Sequence, residues 1–346
     1  MKVAVVTVTS KNKERGGAER FYDGLVAALK AWDIQTDMIG LVGDESNFDR
    51  IKESLLNFYD TDLSDYDGVI STKAPSYLIR HKNHICYLVH TMRVFYDMFE
   101  NEFLCPTPEL LEQRKFITML DTAALHYPRV KKVFTIGNTV SNRLLRYNGL
   151  KSEVLHPALA YDNFKPGKYQ EYLFLPGRLH RWKRVDLIIQ SMKYVRESVR
   201  LKIAGVGEDE EKLYALAEKD KRIEFLGRVS DEELVDLYSN ALAVPFVPIH
   251  EDYGYITLEA FKSEKPVLTC SDSGEPAHFV QDNRSGFVCE PDPRLIAEKI
   301  AFLYNNPEKA STMGKNGKES IAGITWDAIA QTLLNALGLL YDRQTV

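Results

Sequence analysis

The sequence predicts an α/β protein made of two doubly wound parallel-sheet domains in tandem. Three observations carry that prediction. Short apolar, β-rich runs alternate with helical patterns along the chain, which is the signature of parallel strands joined by crossover helices. Between residues 153 and 170 the texture changes to HPALAYDNFKPGKYQ, with two prolines and a glycine, and the alternation then restarts. The length of 346 residues is long for one core and comfortable for two. The expected division is 1–165, with a helix from about residue 326 returning to it, and 166–325.

The first half opens with the apolar run 3–8, read as a buried strand. Charged Lys11, Lys13, Glu14 and Arg15 follow at once, too soon for a signal-peptide core. A helix pattern covers 18–31, a strand 35–41, a helix 48–57 and a short strand 68–71. Residues 85–90 and 132–136 are further apolar runs. Phe95, Tyr96, Phe99 and Phe103 are spaced like a helix face packed on a core, although such rings also stack on sugar or lipid. After the linker, strands are expected at 172–176, 201–204, 223–226, 241–247 and 266–270. Helices are expected at 185–195, 208–218, 231–239 and 255–262, followed by the C-terminal helices. Trp326 is the expected anchor of the last helix on the first domain.

Composition excludes several classes. Apolar residues at 45% and charged residues at 27% are ordinary for a globular protein and exclude a disordered or collagen-like chain. A net charge of 44 − 49 = −5 argues against a nucleic-acid partner. Residues 1–165 carry 21 basic and 21 acidic side chains, the rest 23 and 28, so the acidity lies in the second half. The less acidic first half suits an anionic partner or a membrane surface, but mixed charge also reads as a solvated face. Cys86, Cys105, Cys270 and Cys289 form no C-x-x-C pair and read as buried reduced thiols, consistent with a cytoplasmic protein. No run approaches the 18 apolar residues of a transmembrane helix.

Three motifs carry chemistry. Gly16-Gly17-Ala18-Glu19 follows the first strand and opens a helix, where bare backbone amides favour phosphate or sugar oxygens, though a glycine pair there is often only a turn. Its spacing fails the dinucleotide G-x-G-x-x-G pattern. Gly205-Val206-Gly207 fails it too, because Glu210 stands where the third glycine belongs, in a run of acids that repels a pyrophosphate. The second motif, Gly177 to Arg184 (GRLHRWKR), follows the first strand of the second domain and puts four cations where a diphosphate would bind, although a solvated basic turn reads equally well. The third is Glu251 and Glu259, eight apart, around a glycine turn after a hydrophobic strand. Glu259 sits among apolar residues, and a buried carboxylate needs partners, for which a ribose diol is suitable.

The order and spacing of these pieces resemble the retaining glycosyltransferases of family 4, which have the GT-B architecture of two facing Rossmann-like domains around a cleft. The resemblance runs through GGAE, the G-R-x₄-K segment Gly177 to Lys183, LGRVSDEEL at 226–234, E-x₇-E from Glu251 to Glu259, and KPV at 265–267. It implies that Gly16 and Gly17 approach the donor diphosphate and the acceptor. Arg178 and Lys183 would neutralise the leaving diphosphate, and Glu259 would hold the ribose. Glu251 and the turn Tyr253, Gly254, Tyr255, Ile256 and Thr257 would contact the donor sugar and phosphates, with Arg228 and Val229 beside the base. His90 matches the family's cleft histidine. The sequence departs from the pattern at Ser263-Glu264, at Gly137 and at Ser273-Gly274-Glu275-Pro276, so Glu275 receives no role.

Cleaving a glycosyl–phosphate bond leaves negative charge on the diphosphate, and each fixed donor aimed at it is worth about 3 kcal/mol. No cofactor is implied. The triplets Asp60-Thr61-Asp62 and Asp65-Tyr66-Asp67 fit a metal-binding D-x-D pattern, but they read as surface acids, so metal-independent transfer is expected. The expected activity is transfer of a hexose, with glucose from UDP-glucose foremost, to a glycan or lipid-linked acceptor in building a polysaccharide or glycoconjugate. Peripheral membrane contact stays open. The rivals are an epimerase or phosphorylase of the same architecture, and a non-catalytic nucleotide-sugar-binding subunit.

Overall fold

A computed structural model describes residues 1–9 and 17–340. The chain divides into two compact units, Met1–Ala160 with Ile324–Val346, and Tyr161–Gly323. The division falls ahead of the expected residue 165. Lys262 holds Asp162 at 3.0 Å and Tyr238 packs edge-on against Phe164 at 5.4 Å, which keeps residues 161–165 with the second unit.

The first unit holds one six-stranded parallel sheet. Its elements run β1 (Lys2–Thr9), α1 (Gly17–Ala31), β2 (Gln35–Val42), α2 (Phe48–Tyr59), β3 (Gly68–Ser71), β4 (His84–Leu88), α3 (Phe99–Glu102), α4 (Pro108–Leu125), β5 (Val133–Thr135), α5 (Asn138–Asn148) and β6 (Glu153–Val154). The strand order is β2-β1-β3-β4-β5-β6. β1 pairs on both edges and its β-branched run is buried on both faces, as in a parallel sheet covered by crossover helices, whereas edge strand β2 alternates. α1 buries Phe21, Leu25, Ala28 and Leu29 at helical spacing. Asn47 caps α2 by accepting from the Arg50 amide, and Thr107 caps α4 ahead of Pro108.

Two expectations change here. The linker was placed from residue 153, but Glu153 and Val154 pair with Phe134 and Thr135, closing the sheet edge as β6. Two residues carry too weak a pattern to be read without their partner strand. The aromatic segment is not one helix face. A 3₁₀ turn at Arg93–Phe95 and the short α3 bury Phe95, Tyr96 and Phe99 and leave Phe103 half-buried.

The second unit runs β7 (Tyr172–Pro176), α6 (Val185–Met192), β8 (Arg200–Ala204), α7 (Glu210–Ala217), β9 (Ile223–Gly227), α8 (Asp231–Asn240), β10 (Val244–Pro245), α9 (Tyr255–Lys262), β11 (Val267–Cys270), α10 (Glu275–Phe279), β12 (Gly286–Cys289), α11 (Pro293–Asn305) and α12 (Pro307–Ser320). Two three-stranded parallel sheets, β7-β8-β9 and β10-β11-β12, meet through a parallel bridge between Leu173 and Ala243. The combined order is β9-β8-β7-β10-β11-β12. It reverses direction between β7 and β10, the place where open α/β sheets bind ligands outside the strands' carboxyl ends. Leu173, Leu175, Ile188, Leu201, Ile203, Leu268 and Ile300 are among the residues of its core.

The last helix, α13 (Trp326–Leu337), belongs to the first unit. Trp326 donates its indole N–H to the Leu159 carbonyl at 3.0 Å and lies on α1 at Gly24. A Cβ at Gly24 would stand 2.3 Å from the ring. Of the cysteines expected to be buried, Cys86 and Cys270 are, while Cys105 is exposed and Cys289 half-buried. Cys105 lies in the loop before α4, beside Leu104, which also faces solvent. No described helix is long and apolar enough to cross a membrane.

Candidate active site

The candidate site of the second unit is built at the reversal point. The loop leaving β7 starts with Gly177 at φ +136°. Gly205, leaving β8 at φ +132°, lies against it, and a Cβ there would stand 1.9 Å from the Gly177 carbonyl oxygen. A Cβ at Gly207 would meet the Leu179 carbonyl at 2.2 Å. The Gly205–Gly207 pair therefore serves backbone crossing, which explains why it looked like a nucleotide loop without completing the pattern.

A 3₁₀ turn at Arg181–Lys183 presents the basic residues. His180 accepts the Trp182 N–H at its Nδ1. Burial, with Arg178 and Arg181 near, holds the imidazole below its ordinary pKa against the opposing pull of Glu208. A neutral ring keeps that lone pair available. Lys183 Nζ donates to Glu251 Oε2 at 2.7 Å, with both side chains largely buried. The two residues come from the loops after β7 and β10, the strands that flank the reversal. Arg178 is exposed and pairs with Glu208, whose carboxyl is held below the usual range by a backbone N–H and then by Arg178. Arg178 must exchange that partner to reach a bound anion.

The E-x₇-E element straddles the start of α9, as expected. Gly254 caps the helix at φ +80°, and a Cβ there would stand 2.7 Å from Phe246 Cε1 and 2.9 Å from Pro276 Cγ. Tyr255, Ile256 and Thr257 form the first turn, and Ile256 Cδ1 would lie 3.4 Å from a Cβ at Gly177. Tyr253 is buried between Tyr255 and Phe279. Glu259 is 5% exposed and accepts from the Tyr238 hydroxyl at 2.6 Å. The buried carboxylate therefore has a partner that sequence reasoning did not supply, one helix away on α8. Arg228 (exposed) and Val229 (half-buried) follow β9 at the same carboxyl edge, just before the Ser230–Glu233 capping box of α8.

Three residues near this site went unassigned. Glu275 is fully buried, and its amide donates to the Glu251 carbonyl at 2.9 Å. Arg184 sends its guanidinium to Asp272 at 2.6 and 2.8 Å. The sequence offered one signal, an arginine at the end of a basic run followed far downstream by a Ser-Asp-Ser-Gly turn, but nothing in it pairs the two.

In the first unit, Gly17 opens α1, and Gly16 lies outside the described residues. His90 stands past the carboxyl end of β4, half-buried, with Nδ1 2.9 Å from the Thr91 carbonyl. A carbonyl only accepts, so Nδ1 carries a proton. Asp60, Asp62, Asp65 and Asp67 are exposed and precede β3, at its amino end and thus on the edge of the sheet away from His90.

Residues 162–320 match the family described as glycosyl transferases group 1. That span contains the whole β7–β12 sheet and every site residue assigned to the second unit. Similar proteins include the α-1,3/1,6-mannosyltransferase ALG2 of Mus musculus, 27% identical over 52% of this chain and 51% of that protein. Another is the capsular polysaccharide biosynthesis glycosyltransferase CapM of Staphylococcus aureus, 28% identical over 54% of this chain and 49% of its own length. The matches span about half the length of these relatives. Among solved structures, sucrose-phosphate synthase of Thermosynechococcus elongatus superposes with a TM-score of 0.77 at 17% identity, covering 96% of this chain and 97% of its own. Anabaena HepE, solved with UDP and glucose, gives 0.73 at 13% identity over 98% of this chain and all of its own. The fold class is GT-B, as in these neighbours.

Proposed function

We propose that the chain is a retaining glycosyltransferase that moves a hexose from a nucleotide sugar to a glycan or lipid-linked acceptor, without a metal. The observation that carries this reading is the Lys183–Glu251 pair at 2.7 Å, joining the loops on both sides of the strand-order reversal in a segment that matches group 1 transferases. A diphosphate entering there takes the lysine from its carboxylate, and Glu251 turns to the sugar. Arg178 adds a second cation once it leaves Glu208. Departing negative charge is thereby stabilised by fixed groups, so neither a metal nor a separate base is needed in a mechanism where the leaving oxygen receives the acceptor proton. His90 and the Gly16–Gly17 loop would serve the acceptor and sugar side.

UDP-glucose is the first donor to test, and HepE, solved with UDP and glucose, supports it at the level of fold. A second reading, transfer of mannose, is favoured by the ALG2 relatives. The test is a stability panel with UDP, GDP, ADP and CDP, each in magnesium and in EDTA, followed by transfer assays with the matching sugars. A ligand at about 100 times its dissociation constant adds about 2.7 kcal/mol. A nucleotide shift that survives EDTA, transfer with retained anomeric configuration, and a loss of about 10²–10³ in kcat for Lys183→Ala or Glu251→Ala are expected. Full activity in both variants would overturn the site assignment. Nucleotide binding without turnover would favour the binding-subunit reading.

A further inference from the structure

We propose that Arg184, clamped to Asp272, is the positioning residue that holds Lys183 and Glu251 in register; the inference rests on the functional reading above. Arg184 occupies the left-handed region at φ +50° and ψ +43°, where an L-residue is strained by about 1–2 kcal/mol and glycine is not. It stands at the start of α6 yet makes no side-chain capping bond to that helix. Its side chain reaches across to two other loops.

Four bonds define the reach. Nε donates to the Val247 carbonyl at 2.6 Å, and Nη2 to the Pro248 carbonyl at 2.9 Å. The fork then meets Asp272, Nη2 to Oδ1 at 2.6 Å and Nη1 to Oδ2 at 2.8 Å. The side chains of Arg184 and Asp272 are 12% and 36% exposed, so the guanidinium lies mostly out of water while the carboxylate is partly wet, and the bidentate pair fixes their geometry. One guanidinium therefore ties the loops that follow β7, β10 and β11.

The backbone completes the lattice. The Ile249 amide donates to the Trp182 carbonyl at 2.8 Å, and the His250 amide to Asp272 at 2.9 Å. Glu251 donates its amide to Ser273 at 3.0 Å and accepts from the Glu275 amide. His250 is itself left-handed at φ +46°. Two strained residues, Arg184 and His250, bracket the clamp, and Lys183 and Glu251 each follow or precede one of them directly. Such strain persists where surrounding bonds over-determine it, and it recurs at sites whose geometry matters. A displacement of about 1 Å in a reacting constellation costs about 100-fold in rate. Its Nε, Nη1 and Nη2 are engaged by Val247, Pro248 and Asp272, so its effect on the reaction runs through the placement of Lys183 and Glu251.

Arg184→Gly is the decisive variant, because glycine accepts the backbone angle and only the clamp is lost. Expected are a folded protein with a lowered melting temperature, a fall in kcat of about 10–100-fold with a much smaller change in donor KM, and partial recovery in Arg184→Lys. Asp272→Asn should fall similarly, and the double variant should be no worse than Arg184→Gly alone, since both remove one device. Amide exchange at Ile249, His250 and Glu251 should speed up in Arg184→Gly whatever the substrate. Wild-type kcat in a folded Arg184→Gly with unchanged exchange overturns the proposal. If that variant does not fold, Arg184→Lys decides: wild-type kcat overturns the proposal, and a lowered kcat at unchanged melting temperature supports it. A wild-type chain that neither binds nucleotides nor transfers sugar overturns the functional reading instead, and the exchange measurement still judges the clamp.

Discussion

Gly254→Ala tests whether the start of α9 is held by packing or only by its neighbours' hydrogen bonds. The residue sits at φ +80°, which costs an L-residue about 1–2 kcal/mol. The added methyl would come within 2.7 Å of Phe246 Cε1 and 2.9 Å of Pro276 Cγ. Both are ring atoms of tightly packed residues, not the free ends of flexible chains, so the overlap adds about 1–3 kcal/mol. The sum is a loss of about 2–5 kcal/mol, or about 4–20 °C in the melting temperature of a unit this size. Relief by shifting α9 would move the amides of Tyr255, Ile256 and Thr257 and carry Glu251 with them, since its Cγ is 3.5 Å from the same methyl position. Calorimetry should therefore show a lower transition, and nucleotide affinity should fall at least about tenfold, which is 1.4 kcal/mol. A melting temperature within about 1 °C of wild type together with unchanged nucleotide affinity would refute the packing argument.

Three further outcomes are expected. Tyr238→Phe removes the donor to Glu259 and should cost about 1.5–3 kcal/mol, read by urea midpoint, with weaker nucleotide binding as the second readout. Gly24→Ala gains about 1 kcal/mol of helix propensity yet should destabilise, because the methyl would fall 2.3 Å from the Trp326 ring; in a Trp326→Ala background the same change should stabilise. The first unit should show two opposing acid responses. Burial pushes His84 from 6.5 down to about 3, so its folded form resists protonation and stability is lost as pH falls below 6.5. Burial raises Asp121 from 3.8 to about 6 against the pull of the nearby Tyr77 hydroxyl and the bond from Tyr96, so its contribution is full below 3.8 and is lost as pH rises through 6. Between pH 6 and 4 each works at up to about 1.4 kcal/mol per pH unit with opposite sign. Asp121→Asn should steepen the acid loss measured by denaturant titration in that window, and His84→Gln should flatten it.

By itself, the sequence determined what depends on local pattern and short spacing. The buried runs that became β1, β4 and β7 are legible because a parallel strand covered on both faces must be apolar throughout. The start of α9 is legible because Gly254 precedes a helical pattern, and the basic run 177–184 because charge density needs no partner to be seen. Tertiary structure alone decided everything set by contacts between distant residues. β6 exists only because Phe134 and Thr135 offer it a ladder, and the reversal between β7 and β10 is a property of strand order, which no window of sequence contains. Lys183 meets Glu251 across 68 residues, Tyr238 meets Glu259 across 21 and Arg184 meets Asp272 across 88. Gly205 has to be glycine because another loop's backbone passes within 1.9 Å of its missing methyl, a contact that no window of sequence shows. Local propensity is written residue by residue, whereas these pairings arise only once the sheet brings the carboxyl ends of β7, β8, β10 and β11 together.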